Sequence, residues 1–307
     1  MQHIYAVGET VLDIIFKNKV PMTAEPGGSS FNAAITMGRL GLPVTFISEL
    51  GDDKVGDIIV DFLDENHVGS KFVSRYDEGK TAIALAFLND SNDAEYQFYK
   101  DYPHQRLNIE FPAFEDSDYL LFGSFYALNP GIRPRIKLLL KQAEQSQALI
   151  LYDPNFRDSH MQEREQLLDV IRENMRYAGI VRASDEDLRN IFGAMNPDDA
   201  WDSVGSLCSV LIYTANAHGI HIRTRSVKLH IGVDSIEPLS TIGAGDTFNA
   251  GLLYELHKRQ IRKRDLDAVD AETWRSILQT AAEFSKEVCL SYENYLPVEF
   301  VKNFSNG

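Results

Sequence analysis

Cysteine is nearly missing from this chain of 307 residues: Cys208 and Cys289 are the only two, widely spaced and in apolar surroundings. That argues against a disulfide framework or a zinc site and reads as the reduced core thiols of a cytosolic protein. Long apolar runs are missing too, and none reaches the length a bilayer crossing needs. The start, Met1-Gln2-His3-Ile4-Tyr5-Ala6-Val7-Gly8, has no basic lead and meets a glycine too soon for a signal peptide. Positive charge is in deficit, with 30 Lys and Arg against 45 Asp and Glu, a net −15. Such a balance argues against a nucleic-acid backbone or an anionic membrane as partner. A nucleotide is still admissible, because Mg²⁺ and local amides offset the repulsion. There is no internal repeat and no low-complexity segment.

What is present is alternation. Residues 4–7, 44–50, 119–122, 148–152, 178–182 and 209–213 read as buried strands, the last followed by a second strand through Ile222. Residues 57–66, 132–145, 167–175 and 274–289 read as amphipathic helices, the first with Ile58, Ile59, Phe62 and Leu63 inward. A helix also runs through Ala33, Ala34, Met37 and Leu40 and stops at Gly41 and Pro43. This order predicts a mostly parallel sheet with helices on both faces. The C-terminal strand ends then share one edge, where ligands collect. One region differs. Residues 81–88 and 95–99 read as a hairpin around turn chemistry at 89–93, and 14–20 is also strand-like. Together they predict a small sheet standing off the main one. Its Tyr96, Phe98 and Tyr99 are either packing residues or ligand contacts.

The densest signal is Ser240-Thr241-Ile242-Gly243-Ala244-Gly245-Asp246-Thr247-Phe248-Asn249-Ala250-Gly251. Three small residues precede a helical pattern, so a helix begins near Gly245 or Asp246. Small residues there let a ligand approach the backbone, and the free amides and dipole of the first turn suit a phosphoryl group. Asp246 is then either a helix N-cap or a base that takes a proton from a hydroxyl attacking phosphorus. Upstream, Pro26-Gly27-Gly28-Ser29-Ser30-Phe31-Asn32 offers paired glycines before a helix and an amide suited to vicinal hydroxyls. Glu9 and Asp13 follow the first strand, as solvated carboxylates or acceptors for hydroxyls.

The long motif resembles the second signature of the ribokinase-like (PfkB) family of sugar kinases, Asp-Thr-x-Gly-Ala-Gly-Asp, with Ser240 where that family most often has Asp. Gly27, Gly28, Asn32, Ala34, Arg39, Leu40 and Gly41 resemble the family's first signature, and Gly51, Asp53 and Gly56 its Gly-x-Asp-x-x-Gly. Two signatures in the right order, some two hundred residues apart, are far more specific than either alone. Asp153-Pro154-Asn155-Phe156-Arg157 resembles the Asp-Pro-Asn-x-Arg of the fructokinase-like branch and of 2-keto-3-deoxygluconate kinases. Without the resemblance, Asp153 and Arg157 could simply pair.

The resemblance covers essentially the whole chain and implies a single ribokinase-like α/β domain over 1–307. A discontinuous β lid would span approximately 10–26 and 70–106, and in many members this lid also forms a homodimer contact. It implies ATP-dependent phosphorylation of a sugar hydroxyl, with fructose first and ribose, 2-keto-3-deoxygluconate or a nucleoside as alternatives. Asp246 would be the base, and Gly243, Ala244 and Gly245 the anion hole. Asp13, Gly27, Gly28, Asn32 and Arg157 would hold the sugar. Ser184, Thr214, Asn216, Gly219, Gly243 and Gly245 would hold ATP, with Mg²⁺ near Asp187 through water and a monovalent cation left open. Here Ser184 and Asp187 stand for the family's Asn-x-x-Glu, and Asn216 for the first glycine of its Thr-x-Gly-x-x-Gly. Asn tolerates left-handed dihedrals, so that turn survives, and His218 reads as a turn residue rather than a catalyst. The Ala281-Ala282 pair would leave room for adenine against Ala250. These departures also raise a second reading, a catalytically weak sugar-binding or regulatory protein on the same fold.

Overall fold

The computed structural model describes residues 2–88 and 94–306. The elements in chain order are β1 (Ile4–Val7), β2 (Val11–Lys17), β3 (Val20–Gly27), α1 (Ser29–Arg39), β4 (Val44–Gly51), α2 (Lys54–Glu65) and β5 (Gly69–Tyr76). Next come β6 (Lys80–Leu88), β7 (Ala94–Asp101), β8 (Tyr119–Gly123), α3 (Arg133–Gln145), β9 (Leu149–Asp153), α4 (Arg164–Tyr177), β10 (Ile180–Ser184) and α5 (Asp185–Phe192). The chain continues with α6 (Pro197–Val204), β11 (Val210–Thr214), β12 (Ile220–Arg223), β13 (Lys228–Ile231), α7 (Ala244–Lys258), α8 (Ala271–Cys289) and α9 (Val298–Asn306).

One sheet runs β13-β12-β11-β10-β9-β8-β1-β4-β5. Its pairs are parallel from β11 to β5, and β12 and β13 add an antiparallel edge. Strands covered on both faces read as continuous apolar runs, as β8 and β9 do. The period of two then splits neighbours between faces. Leu121 packs with Ile4, Phe46, Phe248 and Trp274 on one side. Leu120 and Phe122 pack with Ile136, Ile171 and Val204 on the other. Each such side chain, fully buried, contributes roughly 1.5–3 kcal/mol. The register aligns Gly123 with Asp153 and Ser184 with Thr214, so the strand ends that carry polar groups share one edge.

A second sheet, β3-β2-β6-β7, leaves that edge directly after β1. Its β2–β3 and β6–β7 pairs are antiparallel and its β2–β6 pair is parallel. The strand expected over 14–20 is cut by a two-residue turn, Asn18 and Lys19, both at positive φ. Residues 70–76, expected in the lid, instead form β5 at the edge of the large sheet, because β4, α2 and β5 make a parallel crossover unit. Ile58 is 49% exposed rather than inward, while Ile59 and Leu63 are fully buried. The stripe is narrower than the four apolar residues suggest. The turn expected at 89–93 lies outside the described residues. No helix among the described residues is long and apolar enough to cross a membrane.

Candidate active site

The first turn of α7 lies at the polar edge of the sheet. Its N-cap, Gly243, has φ 79°, and a side chain there would begin 2.1 Å from the carbonyl oxygen of Asn294. Glycine is thus required twice, for its dihedral and for the close approach of a second chain segment. No side chain caps this helix. Thr247 is the first residue whose amide returns to the helix, donating to Gly243 at 2.8 Å, and Ala244 makes only a long 3.4 Å bond to Thr241. Among the described residues the amides of Gly245 and Asp246 have no backbone acceptor. They are donors for an anion, with the positive end of a 15-residue helix behind them.

Asp246 stands beside those amides but does not cap the helix. Its Oδ1 accepts from the Ser29 hydroxyl at 2.7 Å and its Oδ2 from Nδ2 of Asn32 at 2.9 Å. Burial pushes its pKa up to about 6, the two hydrogen bonds pull it back, and Asp153 and Arg182 act in opposite directions. A carboxylate held by both oxygens keeps one lone pair on each for a substrate proton. Asn32, foreseen as a sugar contact, is 4% exposed and directs its amide nitrogen at the Asp246 carboxylate. Ser29 was not foreseen, since a serine at a helix start carries no local sign of a partner so distant in sequence.

Gly28 has φ 140°, and a side chain there would strike the carbonyl oxygen of Glu9 at 2.3 Å. A side chain on Gly27 would meet Oδ2 of Asp13 at 2.5 Å. The glycine pair is therefore pressed between the end of β1 and the Asp13 carboxylate. Burial, with Glu25 nearby, pushes Asp13 up to about 6 as well. The register puts Asp13 level with Ala84 and Phe98, so Tyr96 and Phe98, stacked with centroids 5.8 Å apart, share its face of the lid. Tyr99 has the opposite parity. At the lid's base Lys100 pairs with Glu9 at 2.7 Å, and Tyr102 donates to the same carboxylate. Arg106 stacks on Tyr102, and its Nε donates to buried Glu49 at 2.6 Å.

Asp153 does not pair with Arg157. Its partners are Nη1 of Arg182 at 2.9 Å, Nδ2 of Asn249 at 2.6 Å and the amide of Asn155 at 3.0 Å. Arg157 is exposed, with no ion pair among the described residues. Arg182 was missed, although a charged residue inside the apolar run of β10 is a readable signal. Its Nη2 donates to Thr214 at 2.9 Å, and a side chain on Gly245 would begin 2.7 Å from its Nη1. The backbone turn foreseen after Thr214 is formed. Asn216 adopts φ 46°, Gly219 adopts φ 88°, and Gly219 is locked against the Ile231 carbonyl. His218 is an exposed residue of that turn.

Two expectations need correction. Asp187, assigned from the sequence to a metal through water, is 3% exposed and fully engaged within the chain. Its Oδ2 accepts from the amide and hydroxyl of Ser184, at 2.7 and 2.6 Å, and its Oδ1 from the amide of Phe156 at 2.6 Å. Ser184 in turn caps α5. Both residues therefore brace the helix start and the loop after β9. Ala281, expected beside adenine, is fully buried where a side chain on Gly251 would meet its Cα at 2.8 Å. The small residues there serve the close packing of α7 on α8. A concavity lined by Gln2, Ser117, His257, Gln260 and Arg262 shares no residue with any of these groups.

The sequence and the fold are similar to those of known proteins. The chain is 25% identical over 256 residues to a fructokinase of Vibrio alginolyticus, covering 82% of this chain and 83% of that one. Its fold matches the fructokinase of Vibrio cholerae O395, solved with fructose, ADP and calcium, with a TM-score of 0.84, 19% identity and 99% of both chains covered. It also matches the aminoimidazole riboside kinase of Salmonella enterica, with a TM-score of 0.83, 21% identity and complete coverage of both. Residues 1–298 match the pfkB family carbohydrate kinases, and with that match over nearly its full length the chain belongs to this family of sugar kinases.

Proposed function

We propose that this kinase transfers the terminal phosphoryl group of ATP to a hydroxyl of fructose or a closely related neutral sugar. The observation that carries the reading is Asp246, clamped by Ser29 and Asn32 beside the unpartnered amides of Gly245 and itself. The sugar lies under the lid against Asp13, Gly27, Gly28 and Arg157. The triphosphate runs from the turn of Thr214, Asn216 and Gly219 to the first turn of α7. The attacking oxygen forms its bond to phosphorus as the bond to the ADP oxygen breaks, and its proton passes to Asp246. The amides of Ala244, Gly245 and Asp246 meet the charge on the phosphoryl oxygens. Mg²⁺, when bound with the nucleotide, would neutralise part of that charge. Among the described residues no group of three His, Cys, Asp or Glu side chains converges, and Asp153 and Asp187 are engaged elsewhere. Phosphate oxygens and water therefore suit most of its coordination.

A sugar acid would need a cation for its carboxylate, and with Lys100 and Arg106 both paired with glutamates that role would fall to Arg157. An ADP-release assay over a sugar panel, with mass detection of the product, tests the proposal. Fructose should lead. Strong preference for 2-keto-3-deoxygluconate or a nucleoside would replace the substrate assignment. Silence with every sugar, despite measurable sugar binding, would favour the regulatory reading.

The lid also suits a second copy of the chain. On the face away from Asp13, Phe16 stacks on Phe87 with centroids 5.1 Å apart, and Phe87 and Tyr99 are exposed. Sedimentation should give a dimer that Phe87→Asp weakens; a monomeric parent would remove this part of the proposal.

A further inference from the structure

Arg182 takes no part in the proton transfer, yet three pieces of the site meet on it. Its side chain is 11% exposed and leaves a strand whose Val181 and Ala183 are fully buried. One arm of the fork pairs with Asp153 at the end of β9, and the other donates to Thr214 at the end of β11. The face of the guanidinium lies against Gly245, so close that any side chain at 245 would begin within 2.7 Å of it. The Phe248 ring lies 5.5 Å from its central carbon. Asp153 completes the link by accepting from Asn249, one helical turn beyond Asp246.

Stability does not account for this arrangement. A buried ion pair returns about what its desolvation costs, so two apolar residues of similar volume would serve the fold equally well. Nor is the planar fork needed for a simple pair; it is needed to hold two acceptors on different strands at fixed angles. What the position does supply is a permanent positive charge beneath the amides that await the phosphoryl group. Gly245 is the one residue type that lets the charge come this close.

We propose that Arg182 is a positioning residue for phosphoryl transfer, one that fixes a positive charge under the first turn of α7 and ties the Thr214 turn to the helix carrying Asp246. It acts through Gly245, Thr214 and Asp153. The inference rests on the kinase reading, which the activity of the parent protein tests separately in the same assay.

The decisive comparison is Arg182→Met combined with Asp153→Asn, which removes both buried charges and leaves neither unpaired. This double variant should melt near the parent and keep its sugar KM within about threefold, while turnover falls on the order of 10²-fold. Arg182→Lys preserves the charge without the fork and should keep at least about a tenth of the parent turnover. Parent-level turnover in the folded double variant would reduce Arg182 to a structural ion pair. A lysine variant as slow as the double variant would overturn the role of charge. Should the double variant not fold, Arg182→Lys against Arg182→Gln gives the same two outcomes.

Discussion

The side-chain amide of Asn32 donates to Oδ2 of Asp246 at 2.9 Å, joining the start of α1 to the start of α7. Ser29, one turn earlier, takes the other carboxylate oxygen. The helix that follows the lid thus grips the proposed proton acceptor.

Replacing the proposed base should separate chemistry from binding. Asp246→Asn is expected to lower turnover by on the order of 10²–10⁴ while the affinity for nucleotide, read by calorimetry, stays within a few-fold. Turnover equal to the parent's would remove Asp246 from the mechanism.

The same variant should be more stable at neutral pH. The folded-state pKa of Asp246 is raised to about 6 from an ordinary 3.8. Below pH 4 the group is protonated in both states and the native state keeps its full stability. As pH rises through 6 that stability is lost, because the native state must ionise a group the unfolded chain ionises readily. The loss is on the order of 2–3 kcal/mol. Asn cannot ionise, so Asp246→Asn should melt above the parent at pH 8 and close to it at pH 4. Equal melting temperatures at pH 8 would contradict the burial argument.

Two carboxyl groups near pH 6 should shape the acid limb of the sugar kcat/KM profile. Asp13 and Asp246 are each pushed up to about 6, and both act as acceptors in the proposed complex. The limb should therefore steepen beyond a single protonation below pH 6, and Asp13→Asn should return it to one. An acid limb near pH 4 in the parent would be the contrary result.

Ser29 is expected to act on Asp246 alone. Ser29→Ala removes a hydrogen bond to the charged carboxylate, so the acid limb should move to higher pH. Turnover at pH 8 should fall on the order of tenfold, and Ser29→Thr should recover part of it. An unchanged pH profile in the alanine variant would leave the serine without this role.

Gly243→Ala tests the anion site from its backbone. A methyl group there meets the Asn294 carbonyl and an unfavourable dihedral together. Urea unfolding should report a loss of at least about 2 kcal/mol, and the folded fraction should bind ADP weakly. A neutral substitution would mean that the 291–295 segment does not press on the turn.

Motifs with a local physical signature were legible in the sequence. The glycine turn before α7, the paired glycines before α1, and Asn216 at positive φ each announce a backbone demand within a few residues. The buried strands and their layer order follow from apolar runs and alternation, since each strand must be covered on both faces. Ser29 and Arg182 were missed for one shared reason. Their partners lie on other elements, and a residue's type does not say which oxygen it will reach. Residues 70–76 were drawn into the lid because a strand's own pattern does not say which sheet it joins. Pairing beside β4 is decided by the length of the α2 crossover, which is a tertiary fact.

Only Gly28 separates the last residue of β3 from Ser29. Any swing of the lid pulls on that single joint, and the joint leads straight to the hydroxyl that steadies Asp246. On the proposed mechanism, arrival of a guest beneath the flap and readiness of the proton acceptor would be geared together by the covalent chain itself, with no separate messenger between them.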